Sequence, residues 1–149
     1  MGLDQFLYAK KWIWSSKGKT DKAEKVLLKE YPEMKDFELK EISYEVGYWR
    51  KSNHIHKWFV DNVQDGKDDC KNYYVSEEQL RELLNLVKNV LDKPNKAEEL
   101  LPTTSGFFFG GEEYDEWYFN DLKNTIKIIE KIFNKINLKE WDIYYSSSW

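Results

Sequence analysis

The run YWRKSNHIHKWFVDNV, residues 48–63, holds both histidines of the chain, His54 and His56, together with Arg50, one of only two arginines among 23 basic residues. A chain that otherwise uses lysine for positive charge and keeps arginine at positions 50 and 81 points to a place where planar, bidentate donation to phosphate or carboxylate is needed. Imidazole adds a group that titrates near neutral pH. Tyr48, Ile55, Phe59 and Val63 fall on one helical stripe, which predicts a helix over 48–63. On that helix Trp49, Asn53, His56 and Val60 share one side, while Arg50, His54 and Asp61 lie on another. Helical side chains two residues apart diverge by about 200 degrees, so His54 and His56 are not read as a joint zinc pair.

A second cluster is the loop PTTSGFFFGG, residues 102–111. Thr103, Thr104 and Ser105 offer hydroxyls for an anion or a ribose, but no lysine follows in the place a phosphate-binding P-loop requires. Phe107, Phe108 and Phe109 cannot all face one way in an extended segment, so at least one ring is expected near a surface or cleft. Residues 112–121 then carry Glu112, Glu113, Asp115, Glu116 and Asp121 without a cation. Acids there complement the start of a helix, or Asp115 or Glu116 reaches a pocket shared with Arg50 and His56, where a carboxylate and an imidazole could act as acid and base. DGKDD, residues 65–69, lacks the alternating acids and closing Glu of an EF-hand, so calcium is not expected. Cys70 is the only cysteine, and nothing marks it as a nucleophile over a packed thiol.

These residues need elements to position them. LDQFLYAKKWIW, residues 3–14, is dense in aromatic and branched residues and reads as a first strand ended by Ser15, Ser16 and Gly18. TDKAEKVLLKEY reads as a short helix behind a Thr20 cap, stopped by Pro32, and residues 38–46 read as a second strand. Residues 64–75 read as a polar loop. Ser76 with Gln79 forms a capping-box signature before a helix whose buried face is Leu80, Leu83, Leu84, Val87, Val90 and Leu91, and Pro94 ends it. A short helical piece near 98–101 and a long last helix follow, the latter with Trp117, Leu122, Ile126, Ile129 and Phe133 as its apolar face. WDIYYSSSW closes the chain as an alternating strand. The expected fold is α+β: a single domain over 1–149 with about four helices and a small sheet of N-terminal, residue-40 and C-terminal strands, the terminal strands paired.

Composition bounds the function. With 23 Lys+Arg against 27 Asp+Glu, a net charge of −4 and no basic field, duplex DNA is not an expected partner. One cysteine excludes an intrachain disulfide, which favours a cytoplasmic setting. The opening MGLDQFLYAKKWIW is a poor signal peptide, and no apolar run is long enough to span a membrane. Seven Trp, ten Tyr and eight Phe exceed what a core of this size asks for, so some rings are expected to line a binding site.

The strings GLDQFLY, YWRKSNHIHKWFVDNVQDGKDDC, LPTTSGFFFGGEEYDEWYF and YYSSSW together resemble a family of small proteins encoded by bacteriophages and prophages. The resemblance implies a phage protein acting in the host bacterial cytoplasm, where small proteins without enzymatic motifs serve as counter-defence factors. The expected site joins Trp49, Arg50, Asn53 and His56 with Thr103, Thr104, Ser105 and Phe107, then Tyr114, Asp115, Trp117 and Trp149. Aromatic faces stack a base, Arg holds phosphate and hydroxyls hold ribose, so the inventory suits sequestration of a nucleotide-like immune signal without a cofactor or metal. Two alternatives use the same residues: a protein-interaction inhibitor covering a host defence protein, in the manner of an anti-CRISPR, and a small hydrolase using His56. A homo-oligomer is compatible with each.

Overall fold

The structure is a computed structural model that describes residues 2–14, 20–106 and 108–149. The expected strand end at Ser15, Ser16 and Gly18, and the site residue Phe107, lie outside them. The architecture is α+β. β1 (Asp4–Trp12), β2 (Glu41–Arg50), β3 (Tyr73–Val75) and β4 (Asp142–Ser148) form an antiparallel sheet in the order β2-β1-β4-β3. The helices are α1 (Lys22–Glu30), α2 (Asn53–Asn62), α3 (Glu77–Asp92), α4 (Ala97–Leu100) and α5 (Glu116–Lys135). Among the described residues, no helix is long and apolar enough to cross a membrane.

β1 is a strand because its residues alternate: Gln5, Leu7 and Ala9 are buried, while Phe6, Tyr8 and Lys10 turn to the other face. It pairs with β4 from Asp4↔Ser148 to Lys10↔Asp142, so the two ends of the chain do lie side by side. β4 repeats the pattern with Ile143, Tyr145 and Ser147 inward. The ring of Tyr145 stacks on Phe59 of α2, with centroids 3.9 Å apart and planes 6° from parallel.

The helix expected over 48–63 is corrected. Tyr48, Trp49 and Arg50 belong to β2, where they pair with Phe6, Gln5 and Asp4, and the helix begins only at Asn53. Lys51 sits between them at φ 54°, in the left-handed region, which neither strand nor helix continues through. Helical spacing is a local signal, and the ladder with β1 overrides it here. Trp49 is buried by the period of a strand; it meets Phe59 edge-on and donates from Nε1 to Thr125 Oγ1 of α5 at 2.9 Å.

Three smaller differences follow from the same competition. β3 lies within the expected polar loop and exists as three residues held by β4. α1 is capped by Asp21, whose side chain accepts from the Ala23 N–H, and not by Thr20. On α5 the buried face runs through Tyr118, Leu122, Thr125, Ile129 and Ile132, so Trp117 points outward at 78% exposure. The capping box of α3 matches expectation, with the Gln79 N–H donating to Ser76 Oγ at 3.1 Å and the Ser76 N–H to Gln79 Oε1 at 3.0 Å.

Gly47 sets how closely α5 approaches the sheet. A Cβ there would stand 2.7 Å from Ile128 Cγ2 and 3.3 Å from Leu7 Cβ. Gly47→Ala is therefore expected to cost about 1–3 kcal/mol by overpacking, read as a lower urea midpoint. Adding Ile128→Leu, which takes the Cγ2 branch off Cβ, should return part of the loss; unchanged stability in the single variant would contradict this packing.

Candidate functional site

The end of β2, the start of α2, the N-terminal residues, the 102–115 loop and the first turns of α5 meet at one edge of the domain. The Lys51 N–H donates to Leu3 O at 2.7 Å, and the Leu3 N–H donates to Phe108 O at 2.9 Å. Gln5 clamps the turn by donating from Nε2 to Ser52 O at 3.1 Å while its Oε1 accepts from the Ser52 N–H at 3.0 Å. Two glycines press on Lys51. A Cβ on Gly2 would lie 3.0 Å from Lys51 Cε, and one on Gly110, which sits at φ 86°, would lie 3.1 Å from Lys51 Cβ.

Asn53 anchors the loop. Its Oδ1 accepts from the Thr104 N–H at 3.0 Å, and its Nδ2 donates to Phe109 O at 3.2 Å and Gly111 O at 2.7 Å. The loop hydroxyl of Thr103 turns back on its own segment, donating to Glu112 O at 2.9 Å, and the Thr103 N–H donates to the Tyr114 hydroxyl at 3.2 Å. Asn53, Thr103, Thr104 and Tyr114 thus build the wall of a site, while Ser105 is exposed on the loop.

Beside this wall lies a cavity of about 440 Å³, within the size range of small-molecule sites. Arg50 and Lys51 supply its cationic side, Glu113, Asp115 and Asp121 its acidic side, and Gly110 and Gly111 leave backbone open between them. Arg50 is oriented by Asp4: its Nη1 donates to Asp4 Oδ1 at 2.8 Å, and the Tyr48 hydroxyl donates to the same oxygen. These contacts, Tyr48's hydrogen bond foremost, hold the Asp4 carboxyl below its usual range. Asp115 caps α5, accepting from the Tyr118 N–H at 3.1 Å, while Trp117 forms an outer lip.

His54 faces this cavity. It is 3% exposed, its ring lies over Tyr118 at a centroid distance of 4.1 Å, and its Nε2 makes no hydrogen bond among the described residues. The nearest acid is Asp121, with Oδ2 3.8 Å from Nε2, too far for a hydrogen bond. Burial pulls the His54 imidazole down to about 3, against smaller upward pulls from the Tyr118 backbone and the charge of Asp115. Burial also lifts Asp121 to about 6, with Asp115 adding to the rise. At neutral pH the pair is therefore a neutral imidazole beside a carboxylate, both turned to the cavity.

His56 stands elsewhere. It is 1% exposed, with Nδ1 2.7 Å from the Tyr145 hydroxyl and Nε2 3.0 Å from Asp68 Oδ1. An ionised carboxylate can only accept, so Nε2 carries the proton and Nδ1 accepts from Tyr145. Trp149 Nε1 donates to the same Asp68 oxygen at 3.0 Å, and Phe109 sits edge-on to both His56 and Trp149. This network fastens the end of the chain to α2.

Of the expected site residues, Arg50, Asp115 and Trp117 line the cavity together. Asn53, Thr103, Thr104 and Tyr114 support it, Trp49 is in the core, and His56 and Trp149 belong to the separate network. Lys51, His54, Gly110, Gly111, Glu113, Tyr118 and Asp121 were not among the expected residues yet line the cavity. The signals were present in part: His54 shares the arginine-bearing run, Gly110 and Gly111 bracket the loop, and Asp121 ends the acidic stretch. No protein-family model, no curated protein and no solved structure matches the chain.

Asn53→Ala removes three hydrogen bonds to the loop, and is expected to cost about 2–4 kcal/mol. Urea denaturation would measure this, together with faster proteolysis within residues 103–111. His54 also predicts a pH dependence. Its ordinary value of 6.5 against about 3 in the fold means that its contribution to stability is present above pH 6.5 and is lost as pH falls toward 3. Asp121 works oppositely, favouring the fold below 3.8 and losing that contribution as pH rises through about 6. His54→Phe should therefore lose less stability than wild type on going from pH 7.5 to 4.5; equal losses would remove His54 as a source.

Proposed function

We propose that the protein is a bacteriophage counter-defence factor of the host bacterial cytoplasm that binds and sequesters a small nucleotide-like signalling molecule in the Arg50–Asp121 cavity. The observation carrying this reading is the buried His54 Nε2, without a hydrogen-bond partner among the described residues, in a cavity that also holds two cations. A buried polar group without a partner costs about 1–3 kcal/mol, and a polar ligand with an acidic group offsets that cost while answering Arg50 and Lys51. The exposed indole of Trp117 offers a face for a base. Holding a ligand asks only for these contacts, whereas catalysis by His56 would need a ring whose two nitrogens are already committed to Tyr145 and Asp68.

A second reading, inhibition of a host defence protein, is favoured by one observation. Trp12, Trp14, Tyr31, Met34 and Phe37 are 46–89% exposed near the outer end of β1 and β2, and large exposed apolar side chains in one region mark protein interfaces.

One experiment separates the readings. Purified protein is incubated with extract from bacteria whose nucleotide-signalling defence is active, then re-isolated and heated, and the released small molecules are identified by mass spectrometry. A nucleotide recovered from wild type, and at least about tenfold less from Arg50→Ala, is the expected result. A stoichiometric host protein with no released nucleotide would favour inhibition, and recovery of neither would end the sequestration reading.

A further inference from the structure

The two sides of the cavity differ in what they can offer a ligand. Arg50 and Lys51 only donate, and they lie where β2 ends. On the α5 side, Asp121 and Asp115 only accept when ionised. Neither carboxylate makes an ion pair with Lys or Arg among the described residues, and the one basic group near Asp121 is His54, which burial keeps neutral. An acidic wall alone would say little. Beside that wall stands His54, 3% exposed, its Nε2 without a hydrogen-bond partner among the described residues and 3.8 Å from Asp121 Oδ2. A partner that meets both groups must bring hydrogen-bonding atoms side by side.

α5 adds the third element. Trp117 and Asp121 are one helical turn apart, at i and i+4, so the indole and the carboxylate stand on the same face and line the same cavity. A flat ring stacked on Trp117 would turn an edge toward Asp121. The edges of the nucleobases differ in what they present: guanine offers two adjacent donors, N1–H and the 2-amino group, which a carboxylate accepts in parallel. Adenine places a ring-nitrogen acceptor beside its amino donor, and that acceptor would face the carboxylate without a proton between them.

Resting on the nucleotide reading above, we propose that the cavity is selective for guanine nucleotides, with Asp121 accepting from the N1–H and 2-amino edge, Trp117 stacking the base, and Arg50 with Lys51 holding the phosphate. The acidic wall, which would repel a phosphate, then has a role in the same ligand. Each end of the ligand meets the side of opposite character.

The test is titration calorimetry of the full chain with guanosine 5′-monophosphate, adenosine 5′-monophosphate and guanosine. Guanosine monophosphate is expected to bind at least about tenfold more tightly than adenosine monophosphate, and more tightly than guanosine, which lacks the phosphate. Asp121→Asn should bring the two monophosphates within about twofold of each other, and Arg50→Ala should weaken both while leaving their ratio unchanged. Equal binding of the two monophosphates by wild type would overturn guanine selectivity and leave nucleotide binding intact. Absence of binding by either would overturn both readings. The wild-type comparison stands even if a variant fails to fold, and the far-ultraviolet circular dichroism of each variant identifies that case.

Discussion

The chain reverses at Lys51, and the rest of the site is arranged around that reversal. A non-glycine residue at φ 54° is held in a sparsely populated region, at a cost of about 1–3 kcal/mol. The surroundings over-determine it. Leu3 O accepts the Lys51 N–H, Gln5 takes both backbone groups of Ser52, and Gly2 and Gly110 leave the space that any larger residue would fill. Because β1 carries both Leu3's neighbour Asp4 and Gln5, the turn depends on β1 holding its register against β2 and β4. A slip of one residue would send Gln5 to the opposite face and release Ser52.

The reversal also gives the two histidines different fates. Leaving β2 at Lys51, the chain starts α2 with Asn53 toward the loop, His54 toward α5 and His56 toward β4. His56 finds a donor for one nitrogen and an acceptor for the other, so its burial is balanced, and it ties α2 to the chain's last strand. His54 finds a ring to stack on but no partner for Nε2. Its neighbour Asp121 is lifted toward neutral pH by the same loss of solvent. The imbalance is local, and it coincides with the strained residue, the two cations and the cavity.

The aromatic excess divides along the same lines. Trp49, Phe59 and Tyr145 fill the layer between sheet and helices, and Tyr118 closes it at the start of α5 by donating to Leu101 O at 2.7 Å. Phe6, Tyr8 and Tyr48 lie together on the opposite face of the sheet, with Tyr74 against Tyr144 further along. Phe109 and Trp149 seal the His56 network. Among the described residues, only Trp117 of the rings expected at the site meets the cavity as an exposed face.

Strands at both termini, the capped helix from Ser76, the long last helix and the α+β class were legible because each rests on a local pattern: alternation in DQFLYAKKW and DIYYSSS, a Ser–Gln capping pair, and apolar residues recurring over five turns. The scarcity of arginine likewise marked Arg50, and the glycines marked the loop. What local pattern could not decide was phase. Residues 48–50 fit a helical stripe as well as a strand, and only their hydrogen bonds to Asp4, Gln5 and Phe6, more than 40 positions away, settle the matter. That choice sent Trp49 into the core, while Arg50 stayed at the cavity beside His54 and His56 turned to Tyr145 and Asp68. On α5 Leu122 and Ile129 face inward as their spacing predicts, but Tyr118 rather than Trp117 turns to the core, where Ile128 meets Gly47 and Thr125 accepts from Trp49. Residue types determined which chemistry was on offer; long-range strand pairing determined which of those residues share a site.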